Sequence, residues 1–393
     1  MMYDLSSDPQ EMFNLTATTV GCCSSTAKSP QYEESVKKYP NIKTGRGFQG
    51  ISLPRITEFW RDSVMGFPIT FVMLIVAVFS STVSNMFAQQ KGQWVPGQVG
   101  LNAGTLPDPG ISFVNISQAY SASTLNDANG RARPIQGTYS FWVVENIFYY
   151  VPNIKVLGGH LAFGIAQPTV ANGSVTLPQF GLSFDGFGLT DTYVQPFTLG
   201  WSAKRIAFYG GYAFFAPTGR YTAGATNNVG SGYWGNHFIT GTTLYLTKNQ
   251  GTSANLFTDW EFHGSRDEVN GARITPGQAF TTEWGLGQAL PLKKDQSLLA
   301  QLGGVGYDQW QVSANRGTVP NPLIPGGPLL PASLLPYYSV HAAGLQANLI
   351  SIPTNLSLSF KYYWEYSAQA RPMGRTAVIG GTWTWRIPKP KTQ

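Results

Sequence analysis

The residues of this chain with the greatest potential for chemistry lie in the stretch Glu-Phe-His-Gly-Ser, which ends at Ser265. His263 and Ser265 are two positions apart, so they would share one face of a β-strand, together with Glu261. A histidine beside a serine can act as a general base and activate the hydroxyl as a nucleophile. This spacing makes a hydrolase one interpretation, in which His263 and Ser265 are the catalytic pair.

Few other patterns indicate catalysis or a cofactor. The four histidines are scattered along the chain, and the only cysteines are the adjacent Cys22 and Cys23. These spacings do not match a zinc site or a disulfide framework. A phosphate-binding loop and a dinucleotide fingerprint are also missing from the sequence. We therefore predict no metal site, no cofactor and no enzymatic activity, with the His263 and Ser265 pair as the alternative.

The composition is typical of a protein wall between lipid and water. Charged residues make up 12% of the 393 residues, and the mean hydropathy is -0.10. The polarity comes instead from 44 Gly and from uncharged polar residues, mixed with 23 Phe, 19 Tyr and 11 Trp. Such a mixture suits a transmembrane β-barrel, and a Gly-rich secreted all-β protein is the alternative. The net charge of +6 is spread thinly, so we expect no nucleic-acid partner.

Five segments follow from local composition. Residues 1–64 are polar and aperiodic, which predicts a disordered extension or a mis-assigned translation start. Residues 65–88 combine an apolar run with a basic residue before it, which predicts a signal peptide, or else an uncleaved membrane anchor. Residues 89–109 are rich in Gly and Pro and should form a periplasmic segment or a plug in the lumen. Residues 110–387 should form the barrel, and 388–393 a tail.

The secondary-structure elements that must position these polar residues are predicted to be β-strands. Ile206, Phe208 and Phe214 fall on one face of a period-two pattern, whereas Tyr209 falls on the other. The same period recurs along the chain and predicts twelve strands. Their expected ranges are 111–122, 138–151, 154–167, 191–199, 204–215, 237–247, 254–265, 278–290, 296–313, 337–349, 355–367 and 374–387.

The lengths of the connections predict the topology. Those after even-numbered strands are short, whereas several after odd-numbered strands are long, as in 168–190, 216–236 and 314–336. Short periplasmic turns that alternate with long external loops are characteristic of outer-membrane barrels. We therefore predict an all-β fold, a transmembrane antiparallel up-and-down β-barrel of about twelve strands, in the outer membrane of a Gram-negative bacterium.

Several motifs resemble those of a known family. The segments DTYVQPFTLGW and YAFFAPTGRY, together with WVPG, LPDPG, LND and TPGQAF, are similar to outer-membrane proteins associated with meta-pathway phenol degradation. The resemblance covers roughly residues 89–387. It implies a β-barrel that takes up hydrophobic or aromatic compounds, and it brings no catalytic residues. The chain departs from the family in its long N-terminal extension and in its C-terminal tail.

The expected function is therefore that of an outer-membrane channel for passive uptake of small hydrophobic or aromatic compounds. A structural or adhesive barrel is one alternative. A lipid hydrolase is the other, because a His-x-Ser pair resembles the sites of outer-membrane phospholipase A and lipid A deacylases. Those sites face lipid, whereas strand parity directs His263 and Ser265 into the lumen. Expected partners are outer-membrane lipid, the solute and the barrel-insertion machinery.

The side chains predicted to line the lumen or pore are those on the inward face of the predicted strands. They are Arg205, Tyr209, Phe215, Tyr245, Glu261, His263, Lys361, Tyr363, Glu365 and Arg386. Arg220 and Tyr221 are predicted to lie in an outer loop, where a turn is the simpler interpretation of the Pro-Thr-Gly-Arg-Tyr sequence. Charged groups in the lumen would either pair and close the pore or adjust its selectivity. The sequence leaves both alternatives open.

Overall fold

The computed structural model of the protein describes residues 92–386 except 136, 178–181, 322, 323 and 325. The segments predicted as an extension (1–64) and a signal peptide (65–88), and the tail predicted at 388–393, lie outside the described residues.

Twelve long strands form one closed antiparallel sheet, which confirms the predicted barrel. Each strand pairs with its neighbours in sequence, and the last pairs with the first from Gly110 opposite Arg386 to Asn126 opposite Arg371. The strands are β1 (Gly110–Asn126), β2 (Thr138–Val151), β3 (Gly159–Leu177), β4 (Thr192–Ser202), β5 (Ile206–Ala216), β6 (Gly235–Tyr245), β7 (Thr252–His263), β8 (Ala279–Pro291), β9 (Leu298–Gln311), β10 (Ser339–Ser351), β11 (Leu356–Gln369) and β12 (Arg371–Arg386).

The connections alternate in length around most of the barrel. The turns after even-numbered strands are short, so they define the periplasmic end of the barrel. The first strand begins and the last strand ends at this same end. Longer segments follow most odd-numbered strands. These segments contain the short strands Ala132–Pro134, Leu182–Leu189, Arg266–Asp267, Arg273–Thr275, Arg316–Val319 and Leu330–Pro331 and the 3-10 turns Val269–Gly271 and Ala332–Leu334, while Lys155–Val156 lies in a periplasmic turn.

The third strand differs from its predicted range. It begins at Gly159 and continues to Leu177, so part of the predicted loop 168–190 belongs to the sheet. Leu182–Leu189 then pairs back onto it as a hairpin. The sequence obscured this strand because Pro168 and Gly173 lie within it, and both residue types weaken a strand pattern. A register shift between Val170 and Gly173 also interrupts the alternation.

The two faces of the sheet are chemically different. On β11, Leu358, Phe360 and Trp364 are exposed on the outer face, whereas the alternate residues Lys361 and Tyr363 are buried inside. The exposed outer face is therefore apolar, as in proteins whose strands cross lipid. Among the described residues, no helix is long and apolar enough to cross a membrane.

The main core of the protein lies inside the barrel. One cluster joins Leu101 to Val305, Tyr307, Val340 and Tyr363. A second joins Val95 to Ile147, Tyr193 and Phe215. Leu101 and Val95 both precede β1, so the N-terminal segment supplies part of the core that the strands enclose.

Candidate functional site in the barrel lumen

Residues 92–109, here called the luminal segment, run through the inside of the barrel. Gly92 N donates a hydrogen bond to the hydroxyl of Tyr338, next to a long loop, and Gly104 N donates to Thr243 Oγ1 at 2.8 Å. The segment then continues to Gly110, where β1 begins at the periplasmic end. It therefore passes from the external half of the lumen to the periplasmic rim.

The glycines of the luminal segment allow its irregular path. Gly97 has φ +97°, a conformation that side-chain-bearing residues rarely adopt. At Gly104 an added Cβ would lie 2.3 Å from the backbone oxygen of Ala207. The segment can thus turn inside the barrel and lie directly against the wall, which a chain of larger residues could not do.

Charged side chains of the wall bind the backbone of this segment. Glu283 accepts hydrogen bonds from Trp94 Nε1 at 2.9 Å and from Val99 N at 2.8 Å. Lys361 Nζ donates to the carbonyl oxygens of Gly97 and Val99 at 3.3 and 3.1 Å, and also to that of Gln98. These contacts satisfy backbone groups that have no strand partner, and they hold the segment in place.

Glu261 is the third anchor. Its Oε2 accepts from the backbone N–H groups of Gln93 and Trp94, and its side chain is fully buried. His263 lies beside it, with Nε2 3.2 Å from Glu261 Oε2 and Nδ1 2.8 Å from the carbonyl oxygen of Gly277. Both ring nitrogens of His263 are therefore engaged.

An open cavity of about 450 Å³ lies beside the luminal segment. Most of its wall is aliphatic or aromatic, and the size is in the usual range for small-molecule sites. Its apolar lining includes Val114, Ile116, Ile147, Tyr149, Tyr193, Tyr209, Ile239 and Phe257 from the barrel and Trp94, Val99 and Leu106 from the segment. The cavity is thus formed jointly by the strands and the segment.

Two charged side chains from the wall also face this cavity, namely Glu145 and Lys361. Lys361 is occupied by the carbonyl oxygens of the luminal segment. Glu145 is buried, and its Oε2 has no hydrogen-bond partner among the described residues. A buried carboxylate oxygen without a donor is costly, so Glu145 Oε2 is available to accept a hydrogen bond from a ligand.

The structure places several predicted lumen residues inside the barrel. Tyr209 lines the cavity, and Phe215 packs in the core cluster that contains Val95 of the luminal segment. Tyr363 lies against Gly97, where an added Cβ would be 3.1 Å from its ring. Glu365 is tied into the wall, because it accepts from the hydroxyls of Tyr120 and Tyr307 and pairs with Arg371.

Three predicted lumen residues lie instead at the periplasmic rim. Arg205 is exposed in the turn before β5, and its Nη1 donates to the carbonyl oxygen of Tyr245 at 3.2 Å. Tyr245 is the last residue of β6. Arg386 is the last described residue and forms an ion pair with Asp108 at 2.7 Å, with both side chains more than half exposed. Their distance along the strands puts these three residues at the mouth of the barrel.

The outer-loop residues lie in the long segment after β5. Arg220 is exposed and donates to the carbonyl oxygens of Phe187 and Asn227 at 3.0 and 2.6 Å. The hydroxyl of Tyr221 donates to the carbonyl oxygen of Asp267 at 2.8 Å. Both side chains join neighbouring loops to each other.

The hydrolase geometry is not assembled. Ser265 follows β7, and its Oγ accepts a hydrogen bond from Arg273 Nε at 3.3 Å. Both nitrogens of His263 face other groups, as described above. A catalytic pair requires the base to lie within hydrogen-bond reach of the nucleophile, and no such bond joins these two residues.

Two carboxylates of the lumen, Glu145 and Glu283, were not among the residues predicted from the sequence. Glu145 lies in β2, where the large aromatic residues on both faces concealed the alternation. Glu283 lies in β8, at an inward position of a strand rich in Gly and Thr. In both cases the available signal was a lone carboxylate at an inward-facing position of a strand, where a buried charge needs a partner.

A closed twelve-stranded antiparallel barrel with an apolar outer face defines an outer-membrane β-barrel protein. The profile of the family described as "Putative MetA-pathway of phenol degradation" matches residues 122–379, and the chain belongs to this family. No curated protein sequence matches the chain significantly.

One solved structure with a TM-score above 0.5 supports the same fold. An outer membrane channel from Pseudomonas putida F1 is similar over 75% of this chain and 100% of its own, with 14% identity and a TM-score of 0.60. The toluene transporter TodX from Pseudomonas putida is similar over 78% of this chain and 97% of its own, with 10% identity and a TM-score of 0.38. LpxR from Salmonella typhimurium is similar over 70% of this chain and 100% of its own, with 10% identity and a TM-score of 0.31.

Proposed function

We propose that this protein is an outer-membrane channel for passive uptake of small hydrophobic or aromatic compounds, and that the luminal cavity is the site where the solute rests. The observation that carries the proposal is a cavity of about 450 Å³ whose lining is more than half aliphatic or aromatic, with one unpartnered carboxylate oxygen, on Glu145. The family's association with phenol degradation supports the same substrate class.

The cavity suits an aromatic ring with a hydroxyl group. The side chains of Tyr149, Tyr193 and Phe257 offer faces and edges for ring contact. A phenolic hydroxyl could donate to Glu145 Oε2, which would satisfy the buried oxygen. A purely apolar solute gains the ring contacts but leaves that carboxylate without a donor. The protein should therefore prefer phenols to hydrocarbons of similar size.

Uptake measurements can test this preference. A strain without the gene, complemented with wild-type protein or with Glu145→Leu, would be given low concentrations of radiolabelled phenol or toluene. Loss of a hydrogen bond to a charged group costs about 1.5–3 kcal/mol, so phenol uptake by the variant should fall about tenfold while toluene uptake persists. Ile147→Leu alters the same wall without changing its polarity and serves as the matched control.

Two outcomes contradict different parts of the proposal. Equal initial rates for both solutes with and without the protein would refute the channel. Equal loss of phenol and toluene uptake in Glu145→Leu would leave the channel but refute the role of Glu145. The channel would have lipid on its outer face and depend on the barrel-insertion machinery, in keeping with its fold class.

We do not propose an enzymatic role. Ser265 accepts from Arg273, and His263 is held by Glu261 and Gly277, so the geometry gives no activated nucleophile. Phospholipase activity that disappears in Ser265→Ala would overturn this conclusion.

A further inference from the structure

A compact cluster of ligand-type side chains lies in the external half of the lumen, apart from the solute cavity. It consists of His237 on β6, Asp259 and Glu261 on β7, and Gln93 on the luminal segment. Each is at most 1% exposed. One possible ligand atom from each of His237, Asp259 and Glu261 lies within 4.8 Å of the others.

His237 is oriented as in many metal sites. Its Nδ1 is 2.9 and 3.0 Å from the two carboxylate oxygens of Asp259, so Nδ1 carries the proton in the neutral ring. The lone pair is then on Nε2, which has no hydrogen-bond partner among the described residues. A carboxylate behind a ligating histidine is the usual outer partner that fixes the ring and raises its basicity.

Two further buried oxygens have no donor. Glu261 Oε1 and Gln93 Oε1 are both without a hydrogen-bond partner in the part of the chain that the structure describes. The other atoms of these groups are already engaged, since Glu261 Oε2 accepts from Gln93 N and Gln93 Nε2 donates to Ser231 Oγ. The unpartnered atoms are therefore those that remain for a ligand.

Two glycines leave space beside the unpartnered atoms. A Cβ on Gly235 would lie 1.5 Å from Gln93 Oε1 and 3.3 Å from His237 Nε2. A Cβ on Gly92 would lie 2.5 Å from Glu261 Oε1. A side chain at Gly235 would therefore occupy the space beside Gln93 Oε1 and His237 Nε2, and one at Gly92 would occupy the space beside Glu261 Oε1.

The charge of the cluster also favours a cation. Asp259 and Glu261 are fully buried carboxylates that lie 2.9 Å from His237 and 3.2 Å from His263, respectively. Buried charges are paired in proteins or coordinate metals, because desolvation without compensation costs too much.

We propose that His237 Nε2, Glu261 Oε1 and Gln93 Oε1 bind one divalent transition-metal ion, with Zn²⁺ as the representative. Imidazole together with carboxylate and amide oxygens suits Zn²⁺ better than Mg²⁺ or Ca²⁺, which prefer oxygen ligands alone. Asp259 orients His237 from behind as a positioning residue.

The metal joins the luminal segment to the wall. Gln93 belongs to the segment, whereas His237 and Glu261 belong to neighbouring strands. The site is therefore complete only when the segment lies in the lumen. Bound zinc should reduce the rate at which the segment leaves this position. The spacing of these residues along the sequence gave no indication of the site, because strand pairing and threading bring them together.

Zinc binding can be measured on the full-length protein purified in detergent with a tag that contains no histidine. After equilibration with zinc and removal of excess metal, elemental analysis should find about one ion per chain in the wild type. His237→Gln and Gln93→Leu should lower affinity for zinc by about tenfold or more. His341→Gln is the matched control, because His341 Nδ1 also pairs with a carboxylate, Asp308, at 2.7 Å, outside the cluster.

Two further measurements distinguish loss of the metal site from loss of folding. Gln93→Leu changes the luminal segment and no residue of a barrel strand. Heat-dependent migration on gels would verify that each variant is folded. Co²⁺ added in place of zinc should give visible absorption bands in the wild type and in His341→Gln, and these should be lost in His237→Gln. Wild-type protein that retains less than about a tenth of an ion per chain, or folded His237→Gln that retains as much as the wild type, would overturn the proposal.

Discussion

Replacing Glu283 by alanine should release the luminal segment from the barrel wall. The Glu283 carboxylate is fully buried and accepts hydrogen bonds from Trp94 Nε1 and Val99 N. Glu283→Ala removes both acceptors at once. The indole N–H and the backbone N–H would then either remain unsatisfied in the lumen or become hydrated when the segment moves away.

The size of the effect follows from these two bonds. A hydrogen bond to a charged group contributes about 1.5–3 kcal/mol, so the loss of two lowers the free energy that holds the segment by at least about 3 kcal/mol. A tenfold change in an equilibrium constant corresponds to about 1.4 kcal/mol. The population in which the segment is released should therefore rise about a hundredfold.

Cysteine labelling can measure this population. The sequence contains only Cys22 and Cys23, so replacement of both by serine gives a background without thiols. Ala103→Cys then introduces one thiol in the luminal segment at a position that is 3% exposed. If the segment opens and closes quickly, the rate of maleimide labelling is proportional to the released population. Glu283→Ala should increase that rate about a hundredfold.

Asp308 provides the matched control. Its carboxylate also accepts from an indole, that of Trp284 at 3.0 Å, but its other oxygen pairs with His341, which lies on the barrel wall and not in the luminal segment. Asp308→Ala should leave the labelling rate of Ala103→Cys unchanged. An increase of less than about threefold in Glu283→Ala, or an equal increase in Asp308→Ala, would refute the anchoring role of Glu283.

Two further predictions concern the stability of the barrel. Leu345 is 63% exposed on the outer face of β10, so Leu345→Arg should lower the free energy of unfolding in lipid vesicles by about 2–4 kcal/mol, whereas Leu345→Ala should cost less. Glu365 accepts from Tyr120, Tyr307 and Gly374 N and pairs with Arg371. Glu365→Leu should lower the free energy of unfolding by about 3–5 kcal/mol, because it leaves a buried cation without its partner. Urea titrations in vesicles would measure both changes, and an unchanged midpoint in either variant would contradict the corresponding role.

The sequence by itself determined the fold class and most of the strand order. Period-two alternation is a local property, so Leu358, Phe360 and Trp364 could be assigned to the outer face without knowledge of any neighbour. The alternation of short and long connections is equally local, and it predicted the twelve-stranded topology that the sheet has. The prediction failed in part where glycine, proline and a bulge disturb the local pattern, as in β3.

The tertiary structure alone decided what fills the lumen and which groups remain available there. Alternation showed that Lys361 faces inward, but it could not show that this cation is occupied by the carbonyl oxygen of Gly97, 264 positions away in the sequence. In the same way, the sequence could not show that one carboxylate oxygen of Glu145 lacks a donor, or that His237 faces Gln93 of the luminal segment. Strand parity depends on neighbouring residues, whereas the lumen is organised by contacts between residues far apart in the chain.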